Sequence, residues 1–167
     1  VMAYSCTSGT VAIGFEEIVR HIHVVRPGIP CTTPITAALA GFEKLGIHRI
    51  VLLTPYIDDV NQPVRHYLED HGISVLSMSS FNMQSDIDMA RLPPTAIQAA
   101  ALQIDRRDAD AVFISCTAVR AAEIIEALEQ TLGKPVLSSN QVLFWEALRL
   151  AGYTDPVPGF GRLLREH

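Results

Sequence analysis

Two cysteines stand in matching sequence contexts and are the strongest candidates for chemistry in this chain. Cys6 ends the segment VMAYSC, Cys116 ends the segment AVFISC, and a threonine follows each of them. A thiol can act as a nucleophile, a proton acceptor or a proton donor. Two thiols facing each other across one substrate carbon can move a proton from one face to the other, as in a racemase. Alternatively, one thiolate can add to a double bond and leave after rotation, as in a cis-trans isomerase.

The position of each cysteine between an apolar run and a helical pattern favours a reactive thiol. A thiol beside a helix N-terminus experiences the positive end of the helix dipole and free backbone N–H groups, which favour the thiolate. The same N–H groups, with the hydroxyls of Thr7, Ser8 and Thr117, can hold a carboxylate without Lys or Arg. The alternative interpretation is that Cys6 and Cys116 are small core residues.

The remaining titratable and thiol groups carry weaker signals. Cys31, between Pro30 and Thr32, is expected to be structural, at the start of a helix. Three cysteines without a CxxC or a Cys/His cluster indicate neither a disulfide framework nor a zinc site, so reduced thiols and a cytoplasmic location are expected. Neither Cys6 nor Cys116 has an Arg six positions later, which disfavours phosphatase chemistry. No Gly-rich loop ends in Lys, which disfavours a phosphate-binding loop. No cofactor is predicted.

The composition excludes two broad classes of partner. The 167 residues are 49% hydrophobic and 19% charged, with a formal net charge of -5. Basic residues are scattered in ones and twos, so no basic stripe is available for nucleic acid. No apolar run approaches the roughly 20 residues of a membrane span. The expected partner is a small molecule.

The elements that must position the cysteines alternate along the chain. Apolar runs such as RIVLLT predict strands, and periodic segments with capping residues predict helices. The predicted strands cover residues 1–5, 49–54, 73–78, 111–115 and 135–137. The predicted helices cover residues 10–23, 34–45, 58–72, 93–106, 120–132 and 140–151, and residues 79–92 are expected to form a loop. This alternation predicts an α/β fold with parallel sheets flanked by helices, whose strand ends gather the site.

Four segments, taken together, resemble a known superfamily. They are CTSGT from Cys6, LLTPY over 52–56, SCTAVR over 115–120 and GKPVLSSNQ over 133–141. In this order they are similar to the Asp/Glu racemase superfamily, and most of all to its branch of maleate cis-trans isomerases, arylmalonate decarboxylases and ectoine-utilisation proteins. The resemblance covers nearly the whole chain.

The resemblance implies two pseudo-symmetric, Rossmann-like α/β domains with the active site in the cleft between them. On this basis residues 1–32 and 138–167 belong to the first domain and residues 33–137 form the second. Members of the superfamily begin with a further strand and helix set, so roughly 70 to 80 residues are expected before Val1, and the first domain is incomplete in this chain. A homo-oligomer, either a dimer or a tetramer, is also expected.

The resemblance also assigns roles to individual residues. Cys6 and Cys116 match the catalytic cysteines, one from each domain. Tyr56 matches a tyrosine that binds substrate. The other matched positions bind the substrate carboxylate, namely Thr7, Ser8 and Thr117.

Asp86 departs from the pattern of the maleate isomerases, which have a substrate-binding Asn at the position that matches it. A carboxylate there repels a dicarboxylate and suits a substrate with a cationic or amidine group, as in the ectoine-utilisation members. The predicted function is therefore a cofactor-independent isomerase or racemase acting on a small carboxylate in a setting such as ectoine or hydroxyectoine utilisation. A maleate isomerase or an arylmalonate-type decarboxylase is the alternative. Outside this class, a thiol redox sensor and a non-catalytic binding protein remain open.

Overall fold

Two parallel β-sheets organise the computed structural model, which describes residues 1–167. The smaller sheet pairs two short strands, β1 (Met2–Ala3) and β2 (Cys31–Thr32). The larger sheet has four parallel strands, in the order β4-β3-β5-β6: β3 (Arg49–Tyr56), β4 (Ser74–Met83), β5 (Ala111–Ile114) and β6 (Val136–Ser138). The predicted α/β class with parallel sheets is confirmed.

Nine α-helices connect and cover these strands. They are α1 (Thr7–Ile13), α2 (Phe15–Val25), α3 (Pro34–Leu45), α4 (Asp58–Asp70), α5 (Asp86–Arg91), α6 (Pro94–Ile104), α7 (Ile125–Leu132), α8 (Ser139–Leu150) and α9 (Arg162–Glu166). A short 3-10 turn, Ala122–Ile124, precedes α7.

The core lies around β3 and β5 because these strands are apolar along both faces. Every residue of β5 is buried, and so is every residue of β3 after Arg49. Strands with two buried faces are typical of parallel sheets covered by helices. Phe42 of α3 packs edge to face on Phe113 of β5, with 5.4 Å between the ring centroids. The central strands are thereby fixed as the rigid part of the molecule.

The strand order reverses between β3 and β5, which lie side by side although β4 follows β3 in the chain. Leu53 of β3 pairs with Ile114 of β5, and Ile114 pairs with Ser138 of β6. The carboxyl ends of the three strands therefore lie next to one another. In open α/β sheets the crevice at such a reversal is where ligands bind.

The predicted start and end of α3 agree with the structure. Thr33 and Thr36 form a capping box, Pro34 is the first helical residue, and Gly46 ends the helix in the left-handed conformation. These are the features that satisfy the free N–H and C=O groups at helix ends. An equivalent capping box, Ser138 with Gln141, begins α8.

Two predicted helices differ from the structure at their N-terminal parts. The single helix predicted over 10–23 is wrong, because Gly14 at φ +92° separates α1 from α2. The helix predicted from Arg120 begins later, as the 3-10 turn that leads into α7. In both segments the helical pattern of the sequence continues across a residue at which the backbone changes direction.

The loop predicted over 79–92 is also wrong. Strand β4 continues to Met83, which pairs with Tyr56, and α5 follows with Ser85 as its N-cap. Strand β4 is an edge strand, so its serine-rich half lies partly in solvent and its sequence resembles a loop. The Ser85–Asp88 pattern was the helix start that could have been recognised.

The chain ends also depart from expectation. The first strand is only two residues long and is exposed rather than buried, since it pairs with β2 alone. Cys31 lies in β2 and not at a helix start. Helix α9 was not predicted, although Leu163 and Leu164 are buried. The division into two domains remains a prediction; β1 and β2 lie within residues 1–32, and β3 to β5 lie within 33–137.

Candidate active site

Cys6 is the N-cap residue of α1 and has extended backbone angles. Its sulfur accepts a hydrogen bond from Gly9 N at 3.2 Å and lies 4.0 Å from Ser8 Oγ. Its carbonyl accepts the Thr10 hydroxyl at 2.7 Å. The thiol is half-buried and lies over the first turn of the helix. This position agrees with the predicted strand-to-helix junction.

Cys116 has a different environment, although its local sequence is the same. Its residue is 6% exposed and its φ is +98°, a value that side chains other than glycine rarely adopt. Its N–H donates to Ser139 Oγ at 3.0 Å, and its sulfur accepts Ala118 N at 3.3 Å. No helix begins directly after it, so the predicted dipole effect on this thiol is wrong.

Burial raises the pKa of the Cys116 thiol above its ordinary value, and the negative charge of Asp86 raises this pKa further. Hydrogen bonds from Ala118 N, from the Tyr56 hydroxyl and from Val119 N act in the opposite direction but do not cancel the effect of burial. A buried thiol is more stable in its neutral form because a low-polarity environment solvates the thiolate poorly. Cys116 therefore carries its proton at neutral pH.

Tyr56 lies at the end of β3 and is 5% exposed. Its hydroxyl contacts the side chains of Cys116, Ser115 and Thr7. Burial, followed by the charge of a Cys116 thiolate, raises the pKa of Tyr56 far above its usual range. The hydroxyl is a neutral hydrogen-bond donor at every physiological pH.

The main chain of Tyr56 is held by two side chains that sequence analysis missed. Asn61 of α4 donates from Nδ2 to the Tyr56 carbonyl at 3.0 Å, and Ser80 of β4 donates to the same carbonyl. Asn61 in turn accepts the Thr54 hydroxyl, and both residues are buried. The position of the tyrosine therefore depends on β3, β4 and α4 together. A buried Asn one helical turn after a strand end was the available signal.

The two Ser-Cys-Thr turns touch each other. The Thr117 hydroxyl donates to the Ser5 carbonyl at 3.1 Å. The Ser139 hydroxyl lies 2.9 Å from Thr7 Oγ1 and also accepts Cys116 N. Residues 5–7 are thus held against residues 116–117. Sequence analysis did not identify Ser139, although it lies in the GKPVLSSNQ segment.

The other predicted site residues lie around this contact. Cys6 and Ser8 line a cavity of about 430 Å³ between α1 and α4, whose walls are largely apolar. Asp86 begins α5 and is exposed. It acts on the Cys116 thiol electrostatically and forms no hydrogen bond with it. Thr7 is buried and Thr117 is half-buried.

All three cysteines are free thiols. Cys31, in β2, donates from its sulfur to the carbonyl of Ile29, which precedes that strand, at 3.3 Å. No group of three or more His, Cys, Asp or Glu side chains is arranged to hold a metal ion. None of the helices combines the length and the apolar character that a bilayer crossing requires.

Comparison with known proteins identifies relatives along most of the chain. The family model for arylmalonate decarboxylase matches residues 13–164. The arylmalonate decarboxylase of Bordetella bronchiseptica is 36% identical over 145 residues, which are 83% of this chain and 59% of that enzyme. The maleate isomerase of Nocardia farcinica is 30% identical over 131 residues, which are 78% of this chain and 52% of that enzyme. The chain thus spans little more than half the length of these relatives.

Solved structures of an arylmalonate decarboxylase and of a maleate isomerase share the fold. A liganded arylmalonate decarboxylase variant, with one glycine changed to cysteine and one cysteine to serine, has a TM-score of 0.89 at 32% identity. It covers all of this chain, and 74% of its own length is matched. A cysteine-to-serine variant of the Nocardia farcinica isomerase, which holds a covalent succinylcysteine intermediate, has a TM-score of 0.93 at 23% identity, with 71% of its length matched.

These relatives confirm the resemblance to the Asp/Glu racemase superfamily and to the branch that contains both enzymes. The match at the level of the family model extends over more than half of the chain, and the sequence identity to one curated member exceeds 30%. The chain belongs to the arylmalonate decarboxylase family.

Proposed function

We propose that this protein is a cofactor-independent enzyme that acts on a small carboxylate through Cys6 and Cys116, and that its reaction is cis-trans isomerisation. The observation that carries the proposal is the contact between the two Ser-Cys-Thr turns, which Ser139 and Thr117 join by hydrogen bonds. A cysteine on each turn supplies the two thiols that addition and elimination require. Maleate isomerases among the relatives support the same reaction class.

The environments of the two thiols suggest separate roles. Cys6, as the thiolate, forms a bond to one alkene carbon while the π bond breaks. Cys116, which keeps its proton because burial raises its pKa, gives that proton to the neighbouring carbon. The new single bond rotates, the proton returns to Cys116, and the carbon–sulfur bond breaks as the double bond forms again. No external oxidant or cofactor takes part in this sequence.

Hydroxyl groups are proposed to hold the substrate carboxylate. Tyr56 stays neutral and can donate from a buried position beside Cys116. Thr7 and Ser8 supply further hydroxyls on the first turn. The backbone around Thr117 supplies N–H donors on the second, where the Thr117 hydroxyl itself donates to the Ser5 carbonyl. Neutral donors can bind an anion without the strong solvation that a surface ammonium keeps.

Decarboxylation is the second candidate, and a specific observation favours it. Loss of carbon dioxide from a malonate leaves a carbanion that needs only one proton, and Cys116 is a buried thiol that retains one. The identity to arylmalonate decarboxylase also supports this reaction. In this case Cys6 is dispensable, whereas isomerisation needs both thiols.

Asp86 bears on the choice of substrate. Its carboxylate raises the pKa of Cys116, so its charge is felt at the thiol. A second substrate carboxylate on this side would be repelled, whereas a cationic or amidine group would be attracted. We therefore keep ectoine-derived amino acids, and racemisation of such substrates, in the proposed range. The homo-oligomeric state and the cytoplasmic location stay predictions.

The test is a substrate screen in D2O followed by proton NMR, with maleate, an arylmalonate and an ectoine-derived amino acid as probes. Isomerisation changes the geometry of maleate, decarboxylation yields a deuterated arylacetate, and racemisation exchanges the α-proton. Cys116→Ser is expected to lower kcat by roughly 100- to 10,000-fold in every case. Cys6→Ser should do the same for isomerisation or racemisation only.

Cys31→Ser is the matched control, since Cys31 lies in β2 outside the two turns. It should retain the activity of the unchanged protein. Full activity in both Cys6→Ser and Cys116→Ser would reject a catalytic thiol pair. Tight substrate binding that survives both changes, without turnover, would indicate a binding protein instead, and rapid oxidation of either thiol by peroxide would indicate a redox sensor.

A further inference from the structure

We infer that Ser139 is a positioning residue that couples the two cysteine turns, so that the alignment of Cys6 with Cys116 depends on its buried hydroxyl. The inference rests on the proposed function, because positioning is meaningful only if the two thiols act together. Ser139 touches neither sulfur; it acts through the main chain of Cys116 and the side chain of Thr7.

The hydrogen-bonding capacity of one hydroxyl explains how the coupling works. A serine hydroxyl has one proton to donate and can accept through two lone pairs. Ser139 Oγ accepts Cys116 N at 3.0 Å, so its own proton is free for Thr7 Oγ1 at 2.9 Å. Ser139 is 0% exposed and Thr7 is 1% exposed, so water does not compete for either bond. One side chain thereby connects Thr7 with Cys116, and its bond to Thr7 spans 132 positions of the chain.

Ser139 is itself held rigidly from two sides. It follows directly on Ser138, which ends β6 in register with Ile114 of β5. It also begins α8, whose capping box uses Ser138 and Gln141. The register of β6 and the cap of α8 thus fix the Ser139 hydroxyl independently of its contacts with the two turns. A side chain held in this way can impose a geometry on its neighbours rather than follow theirs.

The Cys116 turn has a particular need for such support. Its φ of +98° is unfavourable for a residue with a Cβ, so the surrounding contacts must hold it. Besides the bond from Cys116 N to Ser139, the next residue of α8 contributes. Asn140 Nδ2 donates to the Thr117 carbonyl at 2.9 Å and to the Val119 carbonyl at 3.4 Å. The start of α8 therefore brackets the turn on both sides of the thiol.

The main test compares the alkylation of the three thiols in Ser139→Ala with that in the unchanged protein. Iodoacetamide is the probe, and peptide mass spectrometry reports each site over a range of pH. If Ser139 couples the turns, both Cys6 and Cys116 change their rate and pH midpoint of alkylation, while Cys31 stays constant as an internal reference. A change at Cys116 alone would reduce Ser139 to a local support and overturn the coupling, as would no change at either thiol.

Turnover provides the second readout. Displacement of reacting groups by about 1 Å costs roughly 100-fold in rate, so kcat of Ser139→Ala should fall 10- to 100-fold with KM within about threefold. Ser138→Ala is the matched control, because it removes the neighbouring hydroxyl and weakens the helix cap without touching either turn. Equal losses of kcat in the two variants would assign the effect to the helix cap and reject the proposal.

A third variant keeps the inference testable if Ser139→Ala misfolds or if the proposed function is wrong. Thr7→Val keeps the shape of the side chain and removes the other end of the bridge. It should alter the alkylation of Cys116, and its effect should not add to that of Ser139→Ala, since both remove the same hydrogen bond. Additive effects would overturn the coupling. Alkylation needs no substrate, so it tests the bridge even if the unchanged protein turns over none of the probes.

Discussion

Two cysteines with the same neighbours in sequence have unlike environments in the fold. Cys6 is half-buried and its sulfur lies over the first turn of α1, whereas Cys116 is buried in a turn with positive φ. The sequence predicted the positions of both at strand ends. It could not predict that burial raises the pKa of Cys116, because that burial comes from residues of distant segments, among them Tyr56.

Asp86→Asn tests the electrostatic link between this carboxylate and the thiol. Asp86 raises the pKa of Cys116, so removing its charge should lower that pKa and move the alkylation midpoint of Cys116 to lower pH. Stability follows the same sign. Because the folded pKa is raised, the stabilising contribution of the protonated thiol is complete below the ordinary thiol pKa and is lost as pH rises through the folded value. The variant should lose less stability on the alkaline side.

The measurement is iodoacetamide alkylation of Cys116 over a range of pH, resolved by peptide mass spectrometry and combined with urea unfolding at neutral and alkaline pH. Asp88→Asn is the control, since Asp88 lies on the same short helix, is exposed and pairs with Arg91. An unchanged midpoint in Asp86→Asn, or an equal shift in Asp88→Asn, would show that Asp86 does not act specifically on the thiol.

At the level of elements, strands and caps were more predictable than the breaks between them. The apolar runs of β3 and β5 identified these strands because a strand buried on both faces has a continuous apolar sequence. The break at Gly14 and helix α5 were missed, since each depends on a backbone change over one or two residues within a longer pattern. The first turn of α1 also depends on local backbone geometry. There a main-chain group, Gly9 N, donates to the Cys6 sulfur.

Gly9→Ala tests that close approach. A Cβ at position 9 would lie 2.8 Å from Cys6 Sγ and 2.8 Å from the Tyr4 hydroxyl, so both groups must move away from the helix turn. The sulfur should lose its bond from Gly9 N, and kcat should fall roughly 10- to 100-fold. Alanine favours helices over glycine by about 1 kcal/mol, and this gain offsets the cost of the displaced side chains. The free energy of unfolding should therefore change little.

Steady-state kinetics and urea unfolding of the same preparation separate these effects. Ile13→Ala in the same helix is the control, because Ile13 is 49% exposed and lies at the opposite end of α1 from Cys6. Turnover by Gly9→Ala at the rate of the unchanged protein would mean that the position of the Cys6 sulfur over the helix turn is unimportant.

For the whole molecule, long-range contacts decide what local sequence cannot. Helix α9 returns to the core, where Leu163 approaches Gly41 of α3. Glu129 of α7 is buried and accepts both Val136 N and Arg162 N, which ties the C-terminal segment to β6. The contacts of Leu163 and Arg162 join residues far apart in the chain, as does the Ser139 bridge, so neither α9 nor that bridge could be predicted from local sequence.

Leu163→Ala measures what α9 contributes to the fold. The side chain is 1% exposed, so its truncation should lower the free energy of unfolding by about 2 to 5 kcal/mol. Leu150→Ala is the control, because Leu150 is 42% exposed and should lose far less. Urea unfolding with a constant m-value gives the comparison. Equal losses in the two variants would indicate that α9 is not part of the cooperative core.

The positive φ of Cys116 has an evolutionary consequence. Glycine adopts this conformation without the steric cost, of about 1 to 3 kcal/mol, that other residues meet there. A cysteine codon becomes a glycine codon by one nucleotide substitution, so a mutation that removes the thiol need not weaken the fold. Under the proposed function, one such substitution leaves a folded protein that lacks the thiol on which its chemistry depends.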